Sequence, residues 1–560
     1  MYRLLGLVPG PDFDAYAAAN LLGTDLHAAE RLLQLLFDHN LLLQSAVGRY
    51  KFHDLLHVHA RGLVAADAQH PEALERLLEY YLRTAQAANQ HLSTRYRQNG
   101  VSEAPADELT PELSNQDQAV AWLRAEQPGL LAALSAPALG PVRVIALIQA
   151  LSAHLMYEGM WSLVISLHRR AVGIARERGD RLAEANALLG SATALERQGK
   201  HDAAIEDATQ ALAVSRDLGD RSGEAHALAV IGQVAYVRSR LVEALGVFEE
   251  VLKIYEEVGD QRGAARSSWR LGTILSFQGE NFMAAEYVRR AIAAYQEMKD
   301  DREVAACLLN YSRILYALGD FAAVRPTLDR GLTLGRRYGL RFFVANVLQE
   351  TAMHQVRAGE YAEATENLEE ALRTNREVGF PLGEGYDYLL FGRISFAVGD
   401  LNRASEYLNR ALTLFRKIEC QYEASALETL ARIHHARGEL DQAAELIDTA
   451  LRLFETDRRP PVEIMGEVRI TAAALKFDME GPGSALAEYE AVTDLAIKGG
   501  ARYEHARALE GVARCELRLG RVQPGIEHLR EAVDAYKRIG AVEYGPAASR
   551  LASLADSKAS

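Results

Sequence analysis

The chain has 560 residues, 49% of them apolar and 25% charged, and a formal net charge of -14. That length exceeds one compact core, so several domains or a repeat array are expected. The acidic balance argues against broad nucleic-acid binding, which needs clustered Lys and Arg to neutralise phosphates. Cys307, Cys420 and Cys515 stand too far apart for a metal or redox spacing.

The start, "MYRLLGLVPGPDFDAY", has proline and two aspartates where a secretory signal needs an apolar run, which points to a cytoplasmic protein. "DLHAAERLLQLLFDHNLLLQ" predicts an amphipathic helix running into a strand, and "LLLQSAVGRYKF" a hairpin turning at Gly48. Helices followed by a two-stranded wing predict a winged-helix domain over 1–66. Its presumed recognition helix sets Asp25, Glu30 and Asp38 against Arg31 alone, a balance that argues against direct DNA reading. "GRYKFHDLLHVHAR" then places Phe52-His53-Asp54 before a helix. The plainest role for His53 and Asp54 is to brace the wing against that helix. His53 and His57 share a face with His59 near, but no further ligand converges to make a zinc site.

Residues 67–138, with "LERLLEYYLRTAQAAN" and "AVAWLRAEQPGLLAAL", predict a helical bridge. Val144 to Tyr157 is apolar, but Gln149 and His154 interrupt it and it is too short to span a membrane.

Beyond it the sequence repeats. Gly199, Gly279, Gly319, Gly359 and Gly399 recur in multiples of about forty residues. Ala204, Ala244, Ala284, Ala364, Ala404 and Ala444 follow in the same step, and "RGDR", "LGDR" and "VGDQ" recur at Gly179, Gly219 and Gly259. A glycine after a helical run supplies the left-handed C-terminal position, and the Asp behind it can cap the next helix. The alanine lets two helices approach closely, and stripes such as Ala244, Val247, Phe248 and Val251 are buried. These features predict an all-α solenoid of helix pairs over 139–556. Three departures are visible: Arg240 replaces a turn glycine, Pro326 interrupts a second helix, and a bend or looser stacking is expected near 457–484.

The pattern resembles the tetratricopeptide family in its longer variety of about forty residues, which implies a right-handed superhelical solenoid. In such arrays the first helix of each pair lines the concave side. Projecting its non-packing positions gives a candidate ligand groove of Asn186, His226, Gln233, Tyr236, Arg266, Trp269, Arg270, Thr273, Asn310, Arg313, Tyr316, Asn346, Gln349, Tyr386 and Arg393. Arg forks onto carboxylates, and Trp and Tyr anchor, so an acidic peptide or acidic protein segment is the natural complement.

"RLLGLVPGPDF", "AAANLLG", "AAERLLQLLFDHNLLLQ" and "GRYKFHDLLHVHAR" resemble the winged-helix end of NB-ARC ATPases, and among them the AfsR/SARP-type regulators of actinobacteria. That likeness implies a nucleotide-sensing remnant, with His53 toward an ADP β-phosphate and Asp54 bracing the loop. The family's phosphate-binding loop, Gly-x-x-x-x-Gly-Lys-Ser/Thr, does not occur. "GSATALERQGKH" has the wrong spacing, and His201 stands where a hydroxyl is needed. The expectation is either the C-terminal portion of a longer regulator or a descendant without its ATPase core. No cofactor is expected, ADP or ATP entering only with an ATPase core supplied by upstream sequence.

No nucleophile elbow is present, and His434-His435 sits near a helix end where partial positive charge suits the dipole. Neither points to an enzyme. The expected function is a protein- or peptide-binding regulatory module, the sensor half of a signal-transducing transcriptional regulator. The alternative is a stand-alone scaffold or peptide receptor without nucleotide dependence.

Overall fold

The computed structural model describes residues 1–64, 70–92, 109–238, 240–377, 379–418, 420–455 and 461–559. The expected boundary at 66 lies outside them, as do residues 457–460 of the expected loose region. By packing, the chain forms two compact units, Met1–Arg238 with Gly246–Gly263, and Ser239–Leu245 with Ala264–Ser560.

The first unit opens with α1 (Tyr2–Leu5), β1 (Phe13–Asp14), α2 (Ala15–Leu22), α3 (Leu26–Asp38), β2 (Leu42–Ala46), β3 (Arg49–Phe52) and α4 (Asp54–Val64). Asp14 and Asp25 start the two middle helices by accepting from the backbone N–H of Ala17 and Ala28. The hairpin turns at Gly48, whose φ of 74° is the left-handed conformation that glycine adopts without strain. A third strand, β1, pairs antiparallel with β3 through Phe13↔Tyr50 and Asp14↔Arg49, giving the order β1-β3-β2. Two residues are too few to leave an alternation in the sequence, so the sheet has three strands where a two-stranded wing was expected.

The bridge consists of α5 (His70–Leu92) and α6 (Gln116–Ala133). Next comes α7 (Gly140–Tyr157). Among the described residues, Pro137–Tyr157 is the stretch long and apolar enough to cross a membrane, and half of it is buried. Val144, Leu147, Ile148, Leu151 and Leu155 are covered by protein, with α5 and the next helix packed against this one.

From α7 onward the chain runs in helix pairs. The partner of α7 is α8 (Trp161–Arg178), followed by α9 (Arg181–Arg197), α10 (His201–Leu218), α11 (Arg221–Val237) and α12 (Leu241–Glu257). Then come α13 (Gln261–Phe277), α14 (Asn281–Glu297), α15 (Asp301–Leu318), α16 (Phe321–Arg337), α17 (Arg341–Ala358), α18 (Tyr361–Glu377), α19 (Pro381–Ala397) and α20 (Leu401–Lys417). The array ends with α21 (Glu423–Ala436), α22 (Leu440–Arg452), α23 (Val462–Glu480), α24 (Pro482–Gly499), α25 (Arg502–Arg518), α26 (Val522–Ile539) and α27 (Tyr544–Ala559). Odd-numbered helices are the first of each pair. In the second unit the first helices of successive pairs touch one another from α17 to α25, which sets them on the tighter side of the stack. This is a tetratricopeptide solenoid.

The repeated residues do what their chemistry requires. Gly199, Gly279, Gly319, Gly359 and Gly399 all adopt φ between 78° and 86°. Asp180, Asp220 and Asp260 each accept from the backbone N–H three residues on. Ala204, Ala244, Ala284, Ala364 and Ala404 are fully buried between paired helices.

Four expectations need correction. The register shortens by one after Gly399, so the turn glycine is Gly438 and the fully buried alanine is Ala443, with Ala444 only partly covered. Arg240 aligns with Lys200 and Glu280, one place past the glycine position, which falls on the undescribed residue 239. Pro326 does not interrupt its helix: α16 runs through it unbroken, because near the N-terminus a missing N–H costs a single bond. Near 457–484 the pairing persists with a longer step. Contacts between successive first helices lie 37 or 38 residues apart for Asn310–Thr273, Arg313–Glu350 and Gln349–Asp387 but 43 apart for Thr471–Glu428 and His435–Asp478.

At the turn where its equivalents are Gly259 and Gly339, the chain has Lys299 at φ 55°. A side chain in that region costs about 1–2 kcal/mol, partly offset by the greater freedom of an unfolded glycine. Lys299→Gly should therefore stabilise the second unit by about 0.5–1 kcal/mol, read as a higher urea midpoint with an unchanged slope.

Candidate ligand groove

At the N-terminal end, His53 and Asp54 are exposed, and among the described residues neither side chain makes a hydrogen bond or ion pair. They do not brace the wing. Phe52 does: its ring stacks on His57 at 5.6 Å, meets Tyr2 edge-on at 5.5 Å and lies 6.1 Å from Phe13. Tyr2 also contacts His59 Nδ1 at 3.3 Å, so the imidazoles at 57 and 59 serve packing separately. The exposed side of α3 carries Glu30, Gln34 and Asp38 beside Arg31, as its composition implied.

The strongest polar cluster of the first unit was not foreseen. Arg49 on β3 reaches Asp12, 2.5 Å away, and the fully buried Glu126 of α6, tying the wing to the bridge. Burial first, and the nearby Asp14 charge second, push the Glu126 carboxyl up to about 7 against the pull of Arg49. Gly10 and Gly129 approach there so closely that a Cβ on Gly10 would stand 2.9 Å from the Gly129 backbone.

Of the projected groove residues, Asn186, His226, Gln233 and Tyr236 belong to the first unit, all half-buried on α9 and α11. His226 Nε2 lies 3.4 Å from Thr193 Oγ1, so neighbouring first helices contact through these positions.

The rest belong to the second unit. Arg266, Trp269, Arg270 and Thr273 lie on α13, with the Arg270 guanidinium 4.9 Å from the Trp269 ring. Asn310 donates to Thr273 at 2.5 Å. Arg313 reaches Glu350 at 2.9 Å and Arg393 reaches Glu467 at 2.6 Å. Tyr386 lies 4.9 Å from Tyr422, and Tyr316 packs against Phe321 and His354. Asn346 donates back to Phe342 in its own helix. Gln349 does not line a groove: it is buried, donating to Gly383 O and to the buried Asp387. The projection took it for a ligand contact because a core amide and a lining amide look alike in sequence.

Two of the four groove arginines are therefore matched from within. Arg313 and Arg393 each meet a glutamate supplied one or two repeats further on. Burial alone would raise Glu350, but the Arg313 charge outweighs it and holds the carboxyl below its ordinary value. Arg313 itself stays 55% exposed. Arg357 of α17, absent from the projection, lies between the rings of Tyr316 at 5.1 Å and Tyr503 at 4.9 Å and contacts Glu504 at 3.3 Å.

That last contact belongs to a larger feature, because the array of the second unit returns onto itself. Arg502 Nε donates to Ala317 O and Val542 N to Arg357 O, each at 2.9 Å. Gly279 lies so near the turn after α24 that a Cβ there would stand 2.7 Å from Lys498 O. The inner face of the first helices is thus closed by its own later repeats instead of lying open along its length.

A tetratricopeptide repeat family model matches residues 189–257, 389–458 and 471–538. Two curated proteins are similar to parts of the chain. The regulatory protein AfsR of Streptomyces griseus is 40% identical over 141 residues, 23% of this chain and 14% of that protein. AfsR of Streptomyces coelicolor is 43% identical over 91 residues, 15% of this chain and 9% of that protein. The matched part thus spans about a seventh or less of the length of these relatives. Among solved structures, a Rap protein complexed with competence and sporulation factor aligns with TM-score 0.46 at 17% identity, over 64% of this chain and 98% of that one. A signal transduction ATPase with numerous domains and a tetratricopeptide repeat sensor, from Pyrococcus horikoshii, aligns with TM-score 0.35 at 15% identity, over 89% of this chain and 65% of that one.

Proposed function

We propose that this chain is a protein- or peptide-binding regulatory module, the sensor part of an AfsR-like regulator of the NB-ARC kind. The observation that carries the reading is the partial identity to two regulatory proteins, found in a chain whose repeats present Arg and Tyr side chains on the inner face of first helices. An exposed apolar patch supports a docking role for the winged-helix domain. Leu55 and Val58, beside His53 and Asp54, are 79% and 71% exposed. In this reading the patch faces an ATPase core, and that core holds the nucleotide, with His53 supplying one contact to its phosphates. A single such bond is worth about 1–3 kcal/mol, so the chain's own residues do not retain a nucleotide. Ligand binding to the array alters the docking, because each repeat touches only its neighbours and the stack can flex.

Affinity capture from native lysate, with bound proteins and peptides identified by mass spectrometry, tests this. The chain should hold a partner that a Trp269→Ala/Arg270→Glu version loses. Identical captures by both, or none by either, would overturn the groove reading.

A further inference from the structure

Two of the arginines first expected to receive an acidic ligand, Arg313 and Arg393, already meet buried glutamates. The uncommitted ones lie elsewhere. Arg507, Arg514 and Arg518 occupy one face of α25, seven and four residues apart, and line a cavity of about 600 Å³ in the C-terminal repeats. Among the described residues none of the three forms an ion pair with a carboxylate. Arg514 donates to Tyr489 Oη at 3.2 Å and sits 4.2 Å from the Phe477 ring centre, and its buried Nε has no acceptor. Arg507 lies 5.7 Å from the Tyr503 ring and feels the charges of Glu428 and Glu467 without pairing with either.

The carboxylates of the same wall each have one partner or more, although the second oxygen of Glu543 is buried without one. Glu510 accepts from Arg550 at 2.7 Å and from Tyr536 at 2.9 Å. Glu543 accepts from Tyr503 at 2.5 Å, and Asp478 meets His435 at 2.7 Å. The cavity therefore sets four guanidinium groups, Arg507, Arg514, Arg518 and Arg550, against three carboxylates, an excess of one positive charge, and among the described residues Arg514 and Arg518 meet no carboxylate.

We propose that this cavity binds an acidic peptide segment in extended form, a proposal that rests on the regulatory reading above and deepens it. The spacing favours a peptide over a single phosphate. At about 1.5 Å of rise per helical residue, Arg507 and Arg514 stand about 10 Å apart along the axis, and Arg514 and Arg518 about 6 Å. Alternate residues of an extended chain lie about 6.6 Å apart, so carboxylates two residues apart match the second pair. Each carboxylate can take a guanidinium fork while the peptide body lies against the partly exposed Phe477.

The test uses the full chain and a fluorescein-labelled peptide of four Glu-Ser repeats, with a Gln-Ser peptide as control, followed by anisotropy at low salt. The Glu-Ser peptide should bind and weaken as salt rises, and the Gln-Ser peptide should not bind. Arg514→Gln/Arg518→Gln should weaken binding at least tenfold, while Arg325→Gln on the exposed side of α16 should change it less than twofold. Circular dichroism melting checks that each variant folds, and Arg518→Glu, altering an exposed side chain alone, repeats the test if the double variant does not. Equal binding by wild type and variants would overturn the site, as would inorganic polyphosphate binding through these arginines without peptide binding. If the lysate partner is held through α13 and ignores the α25 variants, this site falls while the regulatory reading stands.

Discussion

Arg49→Met should destabilise the first unit by about 3–5 kcal/mol at pH 8, the usual cost of stripping one partner from a buried ion pair. Arg49 serves two carboxylates directly, Asp12 and Glu126, with Asp14 close enough to feel its charge. Asp12 keeps access to water, but Glu126 is 1% exposed and cannot be rehydrated in place. The deficit should shrink in mild acid. Glu126 already has its folded-state pKa raised to about 7, above its unfolded value near 4.3. The native state therefore binds more protons than the unfolded state between those values, and stability falls as pH rises through the window. Removing Arg49 takes away a pull toward ionisation, extends the window upward and steepens the loss above pH 7. Urea unfolding followed by Trp122 fluorescence, with Trp161 and Trp269 replaced by phenylalanine, gives the measurement at pH 5.5 and pH 8. Arg49→Met/Glu126→Gln should recover part of the loss at pH 8, because no buried charge is then left unpaired. A deficit equal at both pH values would show that Glu126 stays ionised in the variant.

This cluster marks where sequence reading stops. The repeat array was legible because most pairs reuse the same devices, a glycine at positive φ, a capping Asp or a fully buried alanine, so most repeats vote for the same register. The single-residue slip at Gly438 was lost because one shifted repeat is outvoted by its neighbours. The first-helix positions of Arg313, Tyr316, Tyr386 and Arg393 followed from periodicity. Their partners did not, since Glu350 and Glu467 come from later repeats and nothing local distinguishes them from solvated glutamates. Phe52 was passed over for His53, although an aromatic at a strand end is the better packing residue. Closure of the second unit depends on small rotations summed over many repeats, a quantity no single repeat encodes.

The closure can be tested through the side chain at its centre. Arg357→Met should weaken the contact between the early and late repeats of the second unit by about 2–3 kcal/mol at pH 7. Two losses combine. The guanidinium leaves the faces of Tyr316 and Tyr503, a cation–π contact worth about 0.5–2 kcal/mol when desolvated. Glu504, with no exposed surface, also loses its cation. That second loss is capped, because burial already pushes Glu504 up to about 7 despite Arg357, and in the variant it takes up a proton instead of remaining a bare charge. The cost should thus be smaller at pH 6 than at pH 8.5. The bonds from Val542 to Arg357 O and from Arg502 to Ala317 O survive the substitution, so the helices should stay paired while the seam loosens. Hydrogen exchange should accordingly speed up at the turns around 500 and 541 and stay unchanged in α9 and α10 of the first unit. Exchange that rises evenly through both units would mean that Arg357 supports global stability. Exchange that does not change at the two turns would mean that backbone contacts alone hold the seam, and the inner face would then be closed independently of its charges.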